Sequence, residues 1–316
     1  MMDEAILVSV VLPCYNAEAY IDDAVNSMLQ QTYRNLEVIV VNDASTDNSL
    51  QKLKAITDKR LQVITNKTNL GYPGSMNHGI AKAKGKYIAR MDADDICTPD
   101  RIAMQVALHE QNPNCAFVSS KRCLLSPNGV AYTQKLDTLD NSYNTETWED
   151  LYNGTRGFTD AASLILKKHI DTVGGYRTYM RTGMDVDLWF RIMEETNGNV
   201  LVLEKFLYQR RLIPTAITFS IKTNNNLVTD KAFERCHATK NIQKKGVEAQ
   251  TRLKSYIRFL TTIAVHCVIV KDYKGGAAFF MKALSYKKYI FESVFLNVLK
   301  KYYHFKKSKR IKIINA

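Results

Sequence analysis

Residues 8–49 read VSVVLPCYNAEAYIDDAVNSMLQQTYRNLEVIVVNDASTDNS, and this stretch decides the fold class. The apolar run over residues 6–12 is too short for a buried helix and stops at Pro13-Cys14-Tyr15-Asn16, the pattern of a buried β-strand closed by a turn. Ala19, Ile21, Ala24, Val25, Met28 and Leu29 then recur at helical spacing. A second apolar run, residues 36–41, ends at Asn42-Asp43. Strand, helix and strand in this order form a βαβ unit, whose strands run parallel with a right-handed crossover.

The same alternation continues outward. Residues 45–56 carry a helical pattern, LQVIT at 61–65 is a third strand, residues 71–83 are a Gly-containing loop running into a helix, and residues 86–91 are a fourth strand. Thr98-Pro99-Asp100 is an N-cap-like signal with Pro at the first turn of the next helix. Chemistry in a parallel sheet gathers beyond the carboxyl ends of the strands, where segments 13–16, 42–47 and 92–95 all fall. From 115 to 212 the pattern is less regular. It comprises a strand in CAFVSSKRCLL, a hairpin turn at Asn128-Gly129 and a short helix over 147–152. A strand in AASLILKK, an amphipathic helix over 185–195 and one or two closing strands in VLVLEKFLYQRRL complete it. Residues 221–255 are polar and helical in composition, and residues 256–316 are helical with aromatics throughout.

Composition limits the class. Of 316 residues, 46% are hydrophobic and 24% charged, a globular balance. Six cysteines without CxxC pairs argue against a zinc knuckle or a disulfide scaffold. Acidic residues occupy the position of a leader's basic region, and no apolar run reaches the ~18 residues of a membrane span. The expected location is therefore cytoplasmic. The formal charge of +13 is unevenly spread: residues 256–316 hold 13 Lys/Arg against two acids, or +11, leaving +2 for residues 1–255. A near-neutral body does not offer the basic groove that nucleic acid needs. The basic tail, interleaved with Tyr286, Tyr289, Phe291, Phe295, Tyr302, Tyr303 and Phe305, suits an anionic membrane surface or a solvated helix on the body. The run at 259–270 is too short to span and reads as a buried helix.

Asp43 at one strand end, with Asp92 and Asp94 at another, fits a diphosphate-bound divalent metal. Few protein carboxylates then suffice, because phosphate oxygens and water fill the remaining positions. The alternative for residues 92–95 is an ordinary acidic turn. Beyond the 8–49 block, residues 69–95 (NLGYPGSMNHGIAKAKGKYIARMDADD) and 183–195 (GMDVDLWFRIMEE) complete a linked series of blocks. The chain resembles the family 2, GT-A fold glycosyltransferases that build bacterial polysaccharides, over roughly residues 5–215.

The resemblance implies an α/β GT-A fold: a mostly parallel central sheet with a Rossmann-like N-terminal half. The implied catalytic domain is 1–220 (nucleotide half about 1–112, acceptor half about 113–220), followed by a helical region, 221–316. It implies that Pro13, Tyr15 and Asn16 line the base and ribose pocket, that Asp43 binds the nucleobase, and that Gly71 and Asn77 pack against the nucleotide. Arg90 precedes the DxD motif. Asp92 is implied near the ribose and a metal-bound water, Asp94 as direct ligand of Mn2+ or Mg2+, and Asp185 as the catalytic base of an inverting transfer. The donor is expected to be a UDP-sugar and the acceptor a glycan or lipid-linked glycan, in capsule, polysaccharide or lipooligosaccharide synthesis. Attachment to the inner membrane face through residues 256–316 is a coherent expectation, and homo-oligomerisation is compatible with it.

Thr159 and Asp160 are expected to face the acceptor, and Trp189 either stacks on an acceptor sugar or packs in the core. Met184 stands where relatives carry Glu, and Ile213 where they carry a metal-binding His. Arg210 or Arg211 then takes over diphosphate charge, or the metal has one ligand fewer. His78 reads as structural. Other classes fit less well. A dinucleotide fold needs GxGxxG where PCYNAE stands, no kinase-type phosphate loop is present, and a sugar nucleotidyltransferase needs a Gly-rich basic loop there. A catalytically impaired GT-A-like binding protein is the remaining alternative, on account of Met184 and Ile213.

Overall fold

The computed structural model describes residues 6–129, 131–133, 142–153, 158–178, 184–213 and 312–314. Two units divide the chain, Met1–Arg122 with Thr138–Arg210, and Cys123–Asp137 with Arg211–Ala316.

In the first unit, β1 (Val8–Cys14) is buried along almost its whole length because it lies mid-sheet with both faces covered. It runs through Pro13 and Cys14, further than the Pro alone suggests. Helix α1 (Ile21–Leu29) buries Ile21, Ala24, Val25, Met28 and Leu29 as one stripe, and Asp22 and Asp23 in its first turn complement the helix dipole. β2 (Leu36–Asn42), the short α2 (Ser49–Ala55) and β3 (Leu61–Thr65) follow. Residues 45–48, expected to be helical, are a loop because their side chains and amides are spent on turn bonds to Asn16 and Glu18.

Helix α3 (Gly71–Lys82) takes in the whole Gly-Tyr-Pro-Gly segment that composition marks as a loop. Proline is tolerated in its first turn, where the missing N–H would find no intrahelical acceptor. Gly79 lets α3 lie directly on the sheet: a Cβ there would come within 2.5 Å of Val11 and 3.0 Å of Val41. β4 (Tyr87–Arg90) leads through a turn to the two-residue β5 (Ile96–Cys97), which the sequence pattern does not reveal. At α4 (Arg101–Gln111), Pro99 stands before the helix and Asp100 does not cap it. The Asp100 carboxylate instead accepts from Thr98 (2.7 Å) and Lys205 (2.5 Å).

β6 (Phe117–Leu125), β7 (Ala131–Thr133) and β8 (Tyr143–Glu146) come next. Helix α5 (Trp148–Asn153) starts at a reciprocal cap, in which Thr147 N–H donates to Asp150 (2.9 Å) and Asp150 N–H to Thr147 Oγ1 (3.2 Å). A 3-10 turn (Asp160–Ala162), β9 (Leu164–Leu166) and α6 (Lys167–Thr172) precede α7 (Met184–Thr196) and a single long β10 (Val200–Arg211).

The sheet of this unit runs β6-β9-β4-β1-β2-β3, with β10 paired to β5, β6 and β8. β3, β2, β1 and β4 pair in parallel. β9 is antiparallel to both β4 and β6, and β10 is antiparallel to β5 and β8. The N-terminal half is thus the expected parallel sheet, and the sheet as a whole is mixed.

In the second unit, the end of β6 and β7 form the hairpin expected at Asn128-Gly129. Gly129 takes φ 82° and its N–H donates to Ser126 C=O at 3.0 Å. Residues 221–255 and the 259–270 run lie outside the described residues. Of the basic tail at 256–316 only Lys312–Ile314 is described, and it is a strand, β11, antiparallel to β7, where a helix was expected. Among the described residues no helix is long and apolar enough to cross a membrane. Cys14, Cys97, Cys115 and Cys123 are free, buried thiols, and burial pushes Cys14 up to about 11.

Candidate active site

Strand register brings the polar segments to one edge. Cys14 lies opposite Asn42, Asn42 opposite Thr65, and Val11 opposite Arg90, so the turns after β1, β2 and β4 leave the sheet together. Asn16 (φ 50°) and Ala44 (φ 57°) adopt left-handed backbone just beyond β1 and β2. For alanine this costs roughly 1–2 kcal/mol, and such strain concentrates where a turn must present groups to a ligand. Asn16 Oδ1 accepts from Thr46 N–H (2.8 Å), and Asn16 N–H donates to Ser45 Oγ (3.1 Å), which ties the two turns together. Beside them Pro13 is partly buried and Tyr15 is 52% exposed, an aromatic face open at the sheet edge.

Asp43 is buried. Its Oδ1 accepts from Asn66 Nδ2 (2.8 Å) and from Leu70 N–H (2.8 Å), the residue that opens α3. Asn66 also bonds Ser75 Oγ (3.0 Å) and His78 Nδ1 (2.6 Å). His78 is therefore held by Asn66, in keeping with a structural role. Gly71 begins α3 with φ 72°. Asn77, on the same helix, makes two bonds to the Tyr176 backbone, receiving its N–H (2.8 Å) and donating to its carbonyl (2.7 Å).

The turn after β4 is held from both sides. Arg90 is buried. Its Nη2 donates to Asp92 Oδ1 at 2.7 Å, its guanidinium lies 4.8 Å from the Tyr72 ring centre, and Nη1 pairs with Asp160. Burial is the largest influence and opposes its charge, but Asp92 together with Tyr72, Tyr176 and Tyr208 outweighs it, so the Arg90 pKa is raised. On the other side the Tyr208 hydroxyl donates to the buried Asp95 (2.7 Å) and receives Asp92 N–H (3.3 Å). Asp94, at the turn's centre, is half-buried. Arg101, fully buried, donates to the carbonyls of Arg90 (2.8 Å) and Ala161 (3.1 Å) behind the turn.

Asp185, half-buried in the first turn of α7, belongs to the same neighbourhood electrostatically. Burial raises the Tyr72 and Tyr176 hydroxyls, Tyr176 to about 12, and the charges of Arg90, Asp92 and Asp185 all act on both. Two residues on, Asp187 is fully buried and accepts from Arg177 (2.9 Å) and Arg191 (2.6 Å). Arg191 also bonds the carbonyls of Val173 (2.6 Å) and Gly175 (2.8 Å), which fastens the loop before α7 to the helix.

One expectation is corrected and a second is narrowed. Asp160 does not face an acceptor: it is 6% exposed, accepts from Trp189 Nε1 (2.9 Å) and is ion-paired with Arg90. Trp189 takes the packing role of its two readings, because its ring is 1% exposed and lies against Phe158 and Phe117, which leaves no face for a sugar. Arg211 is buried and donates to the Pro127 carbonyl (3.2 Å) in the second unit. Arg210 is half-buried at the end of β10. Asn66, Tyr72, Asp95, Arg101, Tyr176 and Asp187 were missed. Most of them work through partners on other elements of the fold, which local sequence does not reveal. Among the described residues no three or more His, Cys, Asp or Glu form a group able to hold a metal ion.

Comparison with known proteins bears on the family and the fold. The family model described as glycosyl transferase family 2 matches residues 9–174, the span from β1 to the loop before α7. An uncharacterized glycosyltransferase of Haemophilus influenzae is 48% identical over 121 residues, 38% of this chain and 38% of that protein. The Escherichia coli UDP-Glc:alpha-D-GlcNAc-diphosphoundecaprenol beta-1,3-glucosyltransferase WfgD is 35% identical over 124 residues, 39% of this chain and 49% of that protein. The chain thus spans less than half the length of either relative. In fold it is similar to S. aureus TarS 1-349 in complex with UDP, with TM-score 0.53 at 17% identity over 98% of this chain and 95% of that one. With a GT-A-type α/β fold and a family match across more than half its length, the chain belongs to glycosyl transferase family 2.

Proposed function

We propose that the protein transfers a sugar, with inversion, from a UDP-sugar to a glycan or lipid-linked acceptor in cell-surface glycan synthesis. The observation that carries this reading is the gathering of Asp43 and the Arg90–Asp95 turn at one sheet edge, with the charges of Arg90, Asp92 and Asp185 acting on the same two tyrosines. UDP in the TarS complex and the UDP-Glc donor in the WfgD name support the choice of nucleotide. The diphosphate-linked acceptor in that same name supports a lipid-linked one.

In this reading Tyr15, Pro13 and Asn16 cover the base and ribose, and Asp43 accepts from the base. Asp43 reaches it pre-oriented by Asn66 and Leu70 N–H. Gly71 and Asn77 shape the wall behind the nucleotide. The residues after β4 fit a hard divalent cation, since Asp94 and Asp92 offer carboxylate oxygens, and Asp92 Oδ2 has no protein partner among the described residues. Fewer than three protein ligands is the ordinary arrangement for an ion shared with a diphosphate. When bound, Mn2+ or Mg2+ supplies neutralisation of the charge that grows on the leaving diphosphate. Arg210 is the remaining cationic candidate near the end of β10.

Asp185 takes the proton from the acceptor hydroxyl as it attacks the sugar from the face opposite the nucleotide. No proton-donating acid is required on the leaving side, because a nucleoside diphosphate is a sufficiently stable anion. Met184 and Ile213 contribute no carboxylate or imidazole, so Asp185 and Asp94 bear these tasks without those neighbours. We extend the reading to a catalytic domain over 1–220 and a C-terminal region, 221–316, whose basic tail holds the enzyme at an anionic inner membrane face.

A donor-panel screen by nucleotide release, with Mn2+ or Mg2+, tests this function. Turnover of one UDP-sugar that Asp94→Ala abolishes supports it. Equal rates in wild type and Asp94→Ala remove Asp94 from the reaction and favour a catalytically impaired binding protein.

A further inference from the structure

We infer that Asp160 is a positioning residue that, through Arg90, sets the orientation and charge of Asp92; this rests on reading Asp92 and Asp94 as the diphosphate–metal site. The chain of contacts is continuous. Trp189 Nε1 donates to Asp160 Oδ1 (2.9 Å), Asp160 Oδ2 pairs with Arg90 Nη1, and Arg90 Nη2 donates to Asp92 Oδ1 (2.7 Å). Trp189, Asp160 and Arg90 are 1%, 6% and 5% exposed, whereas the Asp92 side chain keeps 34% of its surface. Three of the four members are therefore fixed in the interior, and only the last reaches the site.

The geometry also shows what Asp160 does. A buried guanidinium needs compensating charge, and here it is shared between two carboxylates, one at each Nη. Because Asp160 takes Nη1, Arg90 holds Asp92 by one oxygen only and leaves Oδ2 outward. A planar guanidinium readily grips a single carboxylate with both forks. With Asp160 neutral, Arg90 has Asp92 as its one charged partner and closes on both oxygens. The carboxylate is then turned inward and its charge is spent. Trp189 locks Asp160 in the rotamer that faces Arg90, and the rings of Phe158 and Phe117 hold the indole. Among the described residues the buried Arg90 Nε has no hydrogen-bond partner, so the guanidinium is held through Nη1 and Nη2.

The test measures binding of UDP with Mn2+ to the full chain by calorimetry, and Trp189 emission in a Trp148→Phe background, where it is the remaining tryptophan. Asp160→Asn preserves volume and the indole acceptor and should weaken UDP·Mn2+ binding about tenfold, the scale of one charge-assisted hydrogen bond. Trp189→Phe keeps the aromatic packing and should weaken binding about threefold. In an Arg90→Gln background, adding Asp160→Asn should change affinity less than twofold, because its effect runs through the guanidinium. UDP·Mn2+ should shift Trp189 emission in Trp148→Phe protein, and Arg90→Gln should abolish the shift at saturating ligand. Wild-type affinity in Asp160→Asn, an undiminished tenfold effect in the Arg90→Gln background, or an unchanged emission shift in Arg90→Gln overturns the positioning role while leaving the donor site standing. If wild type itself does not bind UDP·Mn2+, the donor-site reading falls and this inference with it.

Discussion

His109 should make the fold acid-sensitive well above the carboxylate range. It lies in the last turn of α4, 1% exposed, with Nδ1 3.2 Å from the Tyr87 hydroxyl and Nε2 without a partner among the described residues. That hydroxyl donates to Glu110, so His109 is neutral with its proton on Nδ1, and the bare Nε2 faces the interior. Burial is the main cause that pushes its pKa from 6.5 to about 4. His169 and Lys86 add to this by repulsion and Glu110 opposes it. The native state therefore binds fewer protons than the unfolded chain. The stability associated with neutral His109 is intact above pH 6.5, declines as pH falls and is gone below about 4. At 1.36 kcal/mol per pH unit the loss is about 2 kcal/mol by pH 5 and about 3 kcal/mol by pH 4. His109→Asn keeps a donor toward Tyr87 and cannot be protonated. Urea unfolding of wild type and His109→Asn from pH 8 to 4 should show this increment lost in wild type alone, with carboxylate effects common to both. Parallel pH profiles would refute the reasoning.

Other outcomes follow from single contacts. Arg101→Met should destabilise by about 3 kcal/mol in urea unfolding, because it strips bonds from the buried carbonyls of Arg90, Ala161 and Ser163. Arg101→Lys should not restore the loss, since an ammonium lacks the fork that spans them. Gly175→Ala should cost roughly 1–3 kcal/mol, since φ is 69° and the new Cβ would sit 2.7 Å from Asn77 Oδ1. Calorimetric melting reads it, and Asn77→Gly should relieve the clash though not the backbone strain. Tyr208→Phe should weaken UDP·Mn2+ binding about threefold to tenfold by releasing the Asp92–Asp95 turn, measured by calorimetry.

Much of the first unit was legible because its signals are local. The runs behind β1, β2, β3 and β4 are continuous, and their ends carry Asp43 and Asp92, so strand order alone suggested the sheet edge. Reading failed where tertiary contacts override composition. Pro73 and Gly74 look like loop residues, but α3 needs a proline only in its first turn and packs through Gly79. β5 is two residues long and exists because β10 reaches it at Tyr208 and Gln209. Asp160 resembles a surface-facing ligand from its neighbours alone, and the sequence leaves Trp189 open between an acceptor and the core. Asp160 is buried because it balances the charge of Arg90 from another part of the chain, and Trp189 because it packs on Phe158 and Phe117 and donates to Asp160. Ala44 gives no sign of its left-handed backbone, which the turn after β2 imposes.

The central claim is most directly tested by steady-state transfer from the preferred UDP-sugar to its acceptor, comparing wild type, Asp185→Asn and Asp94→Ala. Loss of the base should lower kcat by about 10²–10⁴-fold with UDP·Mn2+ affinity retained, whereas Asp94→Ala should lower that affinity as well. An Asp185→Asn enzyme with wild-type kcat would contradict the account.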